Sequence, residues 1–224
     1  YVKVISETSS GLEFQIHSPF GTADIKTALH GRFNAFNVTA AVVTVTGLGL
    51  PFTEVANAAS HLLPVDGRMQ EVKGGSDVRV VVDYAHTPDA LASALTALKQ
   101  SCTGALWVVF GCGGDRDAGK RPEMGRIADS LADQLVVTND NPRSESPELI
   151  VEDILVGITG SACHVELDRG TAIRYAVLNA RPGDTVLVAG KGHENYQLVG
   201  NNKLDFSDVS SAAQVLRERE AAHA

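Results

Sequence analysis

The chain has 224 residues, of which 44% are hydrophobic and 21% are charged, so it can bury a full core as one large domain or as a medium domain with a smaller piece. Its formal net charge of −8 argues against a nucleic-acid partner or binding to an anionic membrane, but it leaves room for a local basic pocket that takes a small anion. There is no long apolar run or signal-like N-terminus, and the three cysteines lack zinc-type spacing, so we expect a cytoplasmic protein without membrane insertion or a metal site.

The first part of the chain predicts an antiparallel meander followed by two helices. Apolar residues alternate in three short runs, separated by Ser9-Ser10-Gly11 and Pro19-Phe20-Gly21. Apolar residues then recur at helical spacing up to a stop at residues 47–51, and again over residues 55–62. Because no start signal precedes the first strand, we expect this region to be the tail of a larger domain.

From about Val72 the pattern changes to strands alternating with helices, with a boundary near residues 68–76 at Gly74-Gly75. Continuous apolar runs predict buried strands at residues 78–82, 106–110, 135–137 and 186–189. Stripes at helical spacing lie between them and again at 209–216, and Ser146-Pro147-Glu148 predicts the start of a helix with Ile150, Ile154 and Ile158 on one face. The sequence therefore predicts an α/β fold, a Rossmann-like domain with a mostly parallel sheet and helices on both faces.

Four polar clusters follow the predicted strands. They are Asp83-Tyr84-Ala85-His86-Thr87-Pro88, Gly111-Cys112-Gly113-Gly114-Asp115-Arg116-Asp117, Asn139-Asp140-Asn141-Pro142-Arg143-Ser144-Glu145 and Gly190-Lys191-Gly192-His193-Glu194. The carboxyl ends of parallel strands share one edge of the sheet, where ligands bind in such folds. We therefore expect the four clusters to form one site.

Some of these residues also have purely structural interpretations. Asp83 could cap the turn before the helix that begins at Pro88, and His86 could be a hydrogen-bonded loop histidine. The glycine-rich segment 111–119 lacks GxGxxG spacing and is weak as a nucleotide fingerprint. Arg116 and Lys120-Arg121 could form a solvated run of charges.

The other two clusters are harder to explain by turn chemistry. A turn by itself needs no arginine, whereas the Arg143 guanidinium and the Asn141 amide, on a backbone stiffened by Pro142, suit a carboxylate. The glycines Gly190 and Gly192 permit a ligand to approach the backbone closely.

These motifs, in this order, resemble the C-terminal portion of the Mur ligase family, most closely its MurE type. They are Phe33-Asn34-Ala35-Phe36-Asn37, Gly67-Arg68-Met69, Asp83-Tyr84-Ala85-His86-Thr87-Pro88, Phe110-Gly111-Cys112-Gly113-Gly114-Asp115-Arg116, Asp140-Asn141-Pro142-Arg143 and Gly190-Lys191-Gly192-His193-Glu194. The Asp-Asn-Pro-Arg motif is similar to that of members that use meso-diaminopimelate, whereas lysine-adding members usually lack its arginine.

The resemblance implies an ATP-dependent amide-bond ligase of peptidoglycan synthesis. In such an enzyme a carboxylate of UDP-N-acetylmuramoyl-L-alanyl-D-glutamate is phosphorylated to an acyl phosphate, which the amine of meso-diaminopimelate attacks. Residues 1–70 would be the end of a central ATP-binding domain, and 71–224 the domain that binds the incoming amino acid. No GxxxxGK[ST] motif occurs, so the resemblance implies a fragment, inactive alone, that lacks the phosphate loop, the UDP-binding domain and most of the Mg²⁺ ligands.

The resemblance also implies roles for individual residues. A catalytic role falls to Asn34, Arg68, Asp83 and His86, and a nucleotide-binding role to Asn37 and Tyr84. Binding of diaminopimelate falls to Arg116, Asp140, Asn141, Pro142, Arg143, Gly190 and Glu194. The chemistry agrees, because the substrate's carboxylates call for arginine and amide donors and its ammonium for the carboxylate of Glu194.

Two other classes of protein remain as alternatives. A free-standing nucleotide-binding module should carry a glycine fingerprint after its first strand, where this chain has Asp83-Tyr84-Ala85-His86 instead. The second alternative is an amino-acid-binding domain without ligase activity, and restoring the missing segment would distinguish it from a ligase.

Overall fold

The computed structural model describes residues 1–8, 11–74, 77–160 and 163–223. Ser9, Ser10 and Gly75, which mark a predicted break and the predicted boundary, lie outside the described residues. Contacts divide the chain into two compact units, Tyr1–Val65 and Asp66–Ala224.

The first unit is an antiparallel three-stranded sheet with two helices. Its elements are β1 (Val2–Thr8), β2 (Gly11–Ser18), β3 (Gly21–Thr27), α1 (Arg32–Gly47) and α2 (Phe52–Ala59), with β2 in the centre of the sheet. Phe14 pairs with Val4 on one side and with Ile25 on the other, so the alternating apolar residues face one core with the helices. The predicted meander and the two helices are therefore present.

The second unit is an α/β layer structure. Its strands are β4 (Gln70–Glu71), β5 (Arg79–Asp83), β6 (Leu106–Phe110), β7 (Gln134–Val137), β8 (Cys163–Val165), β9 (Thr185–Ala189), β10 (Tyr196–Val199) and β11 (Asn202–Asp205). Its helices are α3 (Pro88–Ser101), α4 (Lys120–Leu131), α5 (Pro147–Leu155), α6 (Arg169–Asn179) and α7 (Asp208–His223). Six strands form one sheet in the order β4-β5-β9-β6-β7-β8, in which only β4 is antiparallel, while β10 and β11 form a separate hairpin.

The central strands are buried on both faces, which accounts for their continuous apolar sequences. Val81 faces the core beneath α3, α4 and α5, whereas its neighbours Val80 and Val82 face the core beneath α6 and α7. The predicted mostly parallel sheet with helices on both faces is confirmed. No helix within the described residues has the length and apolar composition needed to cross a membrane.

Two predicted helices end earlier than their apolar stripes suggest. Helix α2 ends at Ala59, because the next amide hydrogen bonds reach back only three residues, and Leu62 lies beyond it. Helix α5 ends at Leu155: the Val156 N–H still reaches back four residues, but the N–H groups of Gly157 and Ile158 reach back only three, and a Cβ at Gly157 would lie 1.8 Å from the Pro122 carbonyl oxygen of α4. The predictions that extended these helices to Leu62 and Ile158 were wrong at that end.

The predicted start of α5 is confirmed in position, but the predicted capping hydrogen bond is not formed. Ser146 occupies the N-cap and Pro147 is the first helical residue. The Ser146 hydroxyl, however, donates to the Glu148 carboxylate instead of accepting a backbone N–H.

Candidate functional site

The four polar clusters lie in loops that leave the carboxyl ends of β5, β6, β7 and β9, at one edge of the parallel sheet. Strand register brings these ends together, since the Gly190 N–H donates to the Asp83 carbonyl and the Thr138 N–H to that of Phe110. β9 joins the sheet between β5 and β6, so the order of strands reverses here, which is where ligands bind in open α/β sheets.

The loops after β6 and β7 are joined directly to each other. The Gly114 N–H donates to the Asn141 carbonyl at 2.9 Å, and Arg143 Nη1 donates to the Gly114 carbonyl at 2.8 Å. A Cβ at Gly114 would lie 1.9 Å from the Pro142 carbonyl oxygen. The close approach of the neighbouring loop therefore explains why glycine is needed at this position, and no bound nucleotide has to be invoked.

A second set of contacts, made in part by a buried arginine, also joins the same two loops. The buried Arg121 guanidinium holds both carboxylate oxygens of Glu145 at 2.9 Å and also pairs with Asp153. Asp115, in the loop after β6, accepts hydrogen bonds from the N–H and hydroxyl of Ser144. The interpretation of Lys120-Arg121 as a solvated run is wrong for Arg121, since its ion pairs and burial make it a structural clamp.

Arg116 and Lys120 are more accessible. Arg116 is exposed, and its Nη1 donates to the Asp115 carbonyl. Lys120 is half-buried and donates from Nζ to the His86 carbonyl at 2.7 Å, which ties α4 to the loop after β5.

Arg143 has a left-handed backbone conformation, with φ of +52°. That conformation is held by the β10–β11 hairpin, because the Arg143 N–H donates to the Leu198 carbonyl of β10 and the Gly200 N–H, in the turn, donates to the Arg143 carbonyl. Of the guanidinium, Nη1 bonds the carbonyls of Gly114 and Asn141, while Nε and Nη2 have no hydrogen-bond partner among the described residues. One side of the guanidinium is thus fixed, and the other makes no hydrogen bond to the described residues.

Asn141 and Glu194 are brought together with Lys191. Asn141 Nδ2 donates to Glu194 Oε2 at 3.0 Å, and Lys191 Nζ donates to Asn141 Oδ1 at 2.9 Å. Lys191 is fully buried; burial lowers its pKa, and the carboxylates of Asp140 and Glu194 oppose that shift. Sequence reasoning did not select Lys191, because a lysine between two glycines has no distinctive spacing.

Asp140 and Gly190 contact each other within this cluster. Asp140 is buried with one oxygen 3.7 Å from Lys191 Nζ, and a Cβ at Gly190 would lie 2.5 Å from its other oxygen. Likewise, a Cβ at Gly192 would lie 2.6 Å from the Gly67 carbonyl oxygen. Both glycines therefore accommodate the protein's own side chains and backbone, a role that we did not predict.

Arg169 supports the site from inside the protein and was also missed. Its fully buried guanidinium pairs with both oxygens of Asp208 and donates to the carbonyls of Asn139 and Ala189. It thereby joins the ends of β7 and β9. Apolar periodicity carries no signal for such a residue, since Arg169 is only the first residue of a helix.

The loop after β5 forms an aromatic and cationic group. The Arg68 guanidinium carbon lies 4.6 Å from the Tyr84 ring centroid, and the His86 and His193 rings lie 4.5 and 5.4 Å from the same ring. Arg68 and His86 are exposed, and Tyr84 is half-buried. A cation and aromatic rings are thus grouped in this loop, the kind of arrangement that suits a flat or anionic ligand.

Asp83 secures the backbone beneath this group. Its buried carboxylate accepts the Met69 N–H at 2.7 Å; burial raises its pKa, while that hydrogen bond and the Arg68 charge oppose the shift. The N-terminal cap of α3 is Thr87, whose hydroxyl accepts the Ala90 N–H. The structural interpretation of Asp83 as a cap of the turn before that helix is supported, since the backbone N–H groups of Tyr84 and Ala85 also bond to its carboxylate.

Asn34 and Asn37 lie on α1, in the first unit. Asn34 Nδ2 donates to the His30 carbonyl at 2.6 Å, and Asn37 Nδ2 donates to Asn34 Oδ1 at 3.3 Å. The two amides thus face each other one helical turn apart.

The three cysteines differ in burial, and none of them is part of a metal-ligand cluster among the described residues. Cys112 is buried in the core, which raises the pKa of its thiol to about 12, so it is not a nucleophile near neutral pH. Cys102 and Cys163 are half-buried. Across the described ranges, no group of three or more His, Cys, Asp or Glu side chains is arranged to hold a metal ion.

The sequence is similar to proteins of known function. Residues 67–192, more than half of the chain, match the family described as "Mur ligase, glutamate ligase domain". The UDP-N-acetylmuramoyl-L-alanyl-D-glutamate–2,6-diaminopimelate ligases of Chromobacterium violaceum and Vibrio vulnificus are 49% and 48% identical over 214 and 213 residues. In both comparisons 95% of this chain covers 43% of the relative, so it spans less than half of their length.

Solved structures give the same result. A UDP-N-acetylmuramoyl-L-alanyl-D-glutamate–2,6-diaminopimelate ligase aligns with a TM-score of 0.70 and 38% identity, over 100% of this chain and 46% of that protein. The UDP-N-acetylmuramate-alanine ligase of Thermotoga maritima aligns with a TM-score of 0.69 over 100% of this chain and 46% of that protein, but at 18% identity, which shows the shared fold alone.

Proposed function

The chain belongs to the Mur ligase family, and from that membership we propose that it is the carboxy-terminal part of a MurE-type ligase. The enzyme adds meso-diaminopimelate to UDP-N-acetylmuramoyl-L-alanyl-D-glutamate with ATP, in the cytoplasm, during peptidoglycan synthesis. Residues 1–70 end its central ATP-binding domain, and residues 71–224 bind the incoming amino acid. The names and identities of the relatives support this assignment.

The observation that carries the proposal is the convergence of Arg143, Asn141 and Glu194 in one hydrogen-bonded cluster. Diaminopimelate has two carboxylates and two ammonium groups, so it needs both donors and a carboxylate in a fixed arrangement. The unpaired side of the Arg143 guanidinium binds one carboxylate, which lysine lacks, and Glu194 binds an ammonium. Arg116 lies on the same loops and supplies a second cation.

The remaining amino-acid residues shape this site. Pro142 stiffens the turn that follows Asp140, and Gly190 leaves room for the Asp140 carboxylate, which also lies 3.7 Å from Lys191 Nζ. We therefore expect a substrate at the carboxyl edge of the parallel sheet to contact backbone groups as well as charged side chains.

The group around Tyr84 faces the nucleotide. Arg68 and His86 contact the phosphates or base, Tyr84 offers its ring, and Asp83 holds the turn that carries Arg68. The cation and aromatic faces observed here fit a polyanionic nucleotide with a flat base. Asn34 and Asn37 lie in the first unit, and for them we propose a catalytic and a nucleotide-binding role respectively within the central domain.

The chemistry is transfer of the ATP γ-phosphoryl group to the substrate carboxylate, which releases ADP and leaves an acyl phosphate. The amine of diaminopimelate then attacks the acyl carbon, phosphate leaves, and the amide bond forms. Arginine charges neutralise the transferring group, and the amino-acid site holds the amine in position. Mg²⁺ would accompany the ATP phosphates, and among the described residues no group of three or more His, Cys, Asp or Glu side chains is arranged to hold it.

The test is a ligation assay with the full-length ligase that carries this segment. ATP and the UDP-dipeptide are supplied with diaminopimelate or with lysine, and phosphate release and product mass are measured. We expect diaminopimelate-dependent phosphate release and a UDP-tripeptide product. Absence of that product, or equal use of lysine, would contradict the proposed substrate.

A further inference from the structure

The ammonium of Lys191 lies at the centre of the amino-acid site but has no place in the roles described so far. Its Nζ donates to Asn141 Oδ1 at 2.9 Å and lies 3.5 Å from Glu194 Oε2 and 3.7 Å from Asp140 Oδ1. The side chain is 0% exposed, so these partners replace its water completely.

Stability alone does not account for a lysine at this position. Burial of an ammonium is costly, and apolar replacements of buried ionic groups are often neutral or stabilising. Burial lowers the Lys191 pKa, and the nearby Arg169 charge adds to that effect, while Asp140 and Glu194 counteract it. The two carboxylates lie within ion-pair distance of Lys191 Nζ, and the lysine in turn holds them in place.

Lys191 determines how Asn141 presents its amide. Asn141 Oδ1 accepts from two donors, Lys191 Nζ and the Leu198 N–H, each at 2.9 Å. With Oδ1 held by these two donors, Nδ2 lies on the other side of the amide, and one of its hydrogens goes to Glu194 Oε2 at 3.0 Å. An amide flip would place Nδ2 against two donors, so Lys191 and the hairpin together exclude that orientation.

Lys191 also holds the carboxylate of Glu194. Within the part of the chain that the structure describes, all contacts of this carboxylate with Lys191 and Asn141 are made by Oε2. Oε1 has no hydrogen bond among these contacts and is left to accept from a ligand, while Asn141 Nδ2 retains a second hydrogen to donate. An acceptor beside a donor is the pattern that binds an ammonium and a carboxylate on the same carbon atom.

We propose that Lys191 is a positioning residue for amino-acid recognition: it fixes the Asn141 amide and the Glu194 carboxylate so that they bind one zwitterionic ammonium-carboxylate end of the incoming substrate. The proposal rests on the ligase function proposed above. Lys191 acts through these two side chains and does not contact the substrate itself.

The first test compares Lys191→Met with Lys203→Met in the full-length ligase. Lys203 is a matched control, since its exposed ammonium lies over the same Tyr196 ring that Lys191 approaches, at 4.1 and 5.7 Å respectively, without a contact to Asn141. We expect K191M to raise KM for diaminopimelate roughly 10- to 100-fold, as loss of a charged hydrogen-bond partner does, with KM for ATP unchanged. K203M should change neither KM value.

The second test separates positioning from general damage. In a double-mutant cycle, K191M should add little to the KM effect of Glu194→Gln, because both substitutions disable the same unit. Additive effects on KM for diaminopimelate would overturn the proposal.

A third variant, Lys191→Arg, retains the charge and covers the case in which K191M does not fold. Its planar guanidinium cannot take the place of a single ammonium between Asn141 and Glu194, so KM for diaminopimelate should again rise at least about 10-fold. A folded K191M or K191R enzyme with the wild-type KM for diaminopimelate would overturn the inference. If the wild-type enzyme itself does not ligate diaminopimelate, the proposed function fails instead.

Discussion

Replacement of Arg143 by alanine in the full-length ligase should selectively weaken the use of diaminopimelate. Arg143 Nη1 is held by the carbonyls of Gly114 and Asn141 at 2.8 and 3.3 Å, so the other face of the guanidinium is preorganised for a carboxylate. Loss of one partner of a charge-assisted hydrogen bond costs about 1.5–3 kcal/mol, which is roughly a 10- to 150-fold rise in KM. KM for ATP should not change.

The backbone at this position supplies an internal control. A non-glycine residue in the left-handed region costs about 1–2 kcal/mol, and Arg143 has φ of +52°. Arg143→Gly should therefore be about 1 kcal/mol more stable than Arg143→Ala in urea unfolding. Both variants should show the same rise in KM for diaminopimelate. Arg143→Lys should recover only part of the affinity, because an ammonium lacks the fork.

The assay measures initial rates against diaminopimelate and lysine, with ATP and the UDP-dipeptide saturating. If Arg143→Ala leaves the preference for diaminopimelate over lysine unchanged, Arg143 does not bind the distinguishing carboxylate. Arg116 would then be the next candidate.

Three further predictions concern stability and reactivity. Burial raises the pKa of the Asp83 carboxyl above its ordinary 3.8, so the folded state binds the proton more tightly than the unfolded state. The free energy of unfolding should therefore fall as pH rises from about 3.8 through the folded pKa. Asp83→Asn, which keeps an oxygen for the Met69 N–H, should flatten this part of the urea-stability profile, and an unchanged slope would contradict the prediction. Arg169→Met should lower the free energy of unfolding in urea by about 3–5 kcal/mol, because Asp208 stays buried without its partner. Adding Asp208→Leu to that variant should restore part of the lost stability, and no recovery would show that the ion pair is unimportant. Cys112, with a thiol pKa of about 12, should resist disulfide reagents at pH 8 until the protein unfolds, as followed by mass spectrometry, and rapid labelling of the folded protein would refute the burial argument.

Periodicity in the sequence predicted the long elements of the fold well, since buried strands such as β6 and β9 are continuous apolar runs between helical stripes. Periodicity missed strands that are short or whose residues are polar or exposed. Strand β8 has three residues, and β11 is exposed along its whole length, so neither has an apolar pattern to detect. The hairpin of β10 and β11 is nevertheless the element that holds Arg143 in place.

The site shows the same division. Its location at the strand ends followed from the rule that parallel strands share a carboxyl edge, and the loops that contain Arg143 and Glu194 do meet there. Lys191 and Arg169 were missed because their role arises from burial and from partners 50 and 39 residues distant in sequence. Local sequence patterns carry no information about such pairs.

The most direct test of the amino-acid site is a structure of the full-length ligase with diaminopimelate bound. The account predicts one substrate carboxylate within hydrogen-bond distance of Arg143 Nε or Nη2, with Glu194 and Asn141 on an ammonium and a carboxylate of the same ligand. A complex in which diaminopimelate lies away from these three residues, with the Arg143 guanidinium bonded only to its own backbone neighbours, would contradict it.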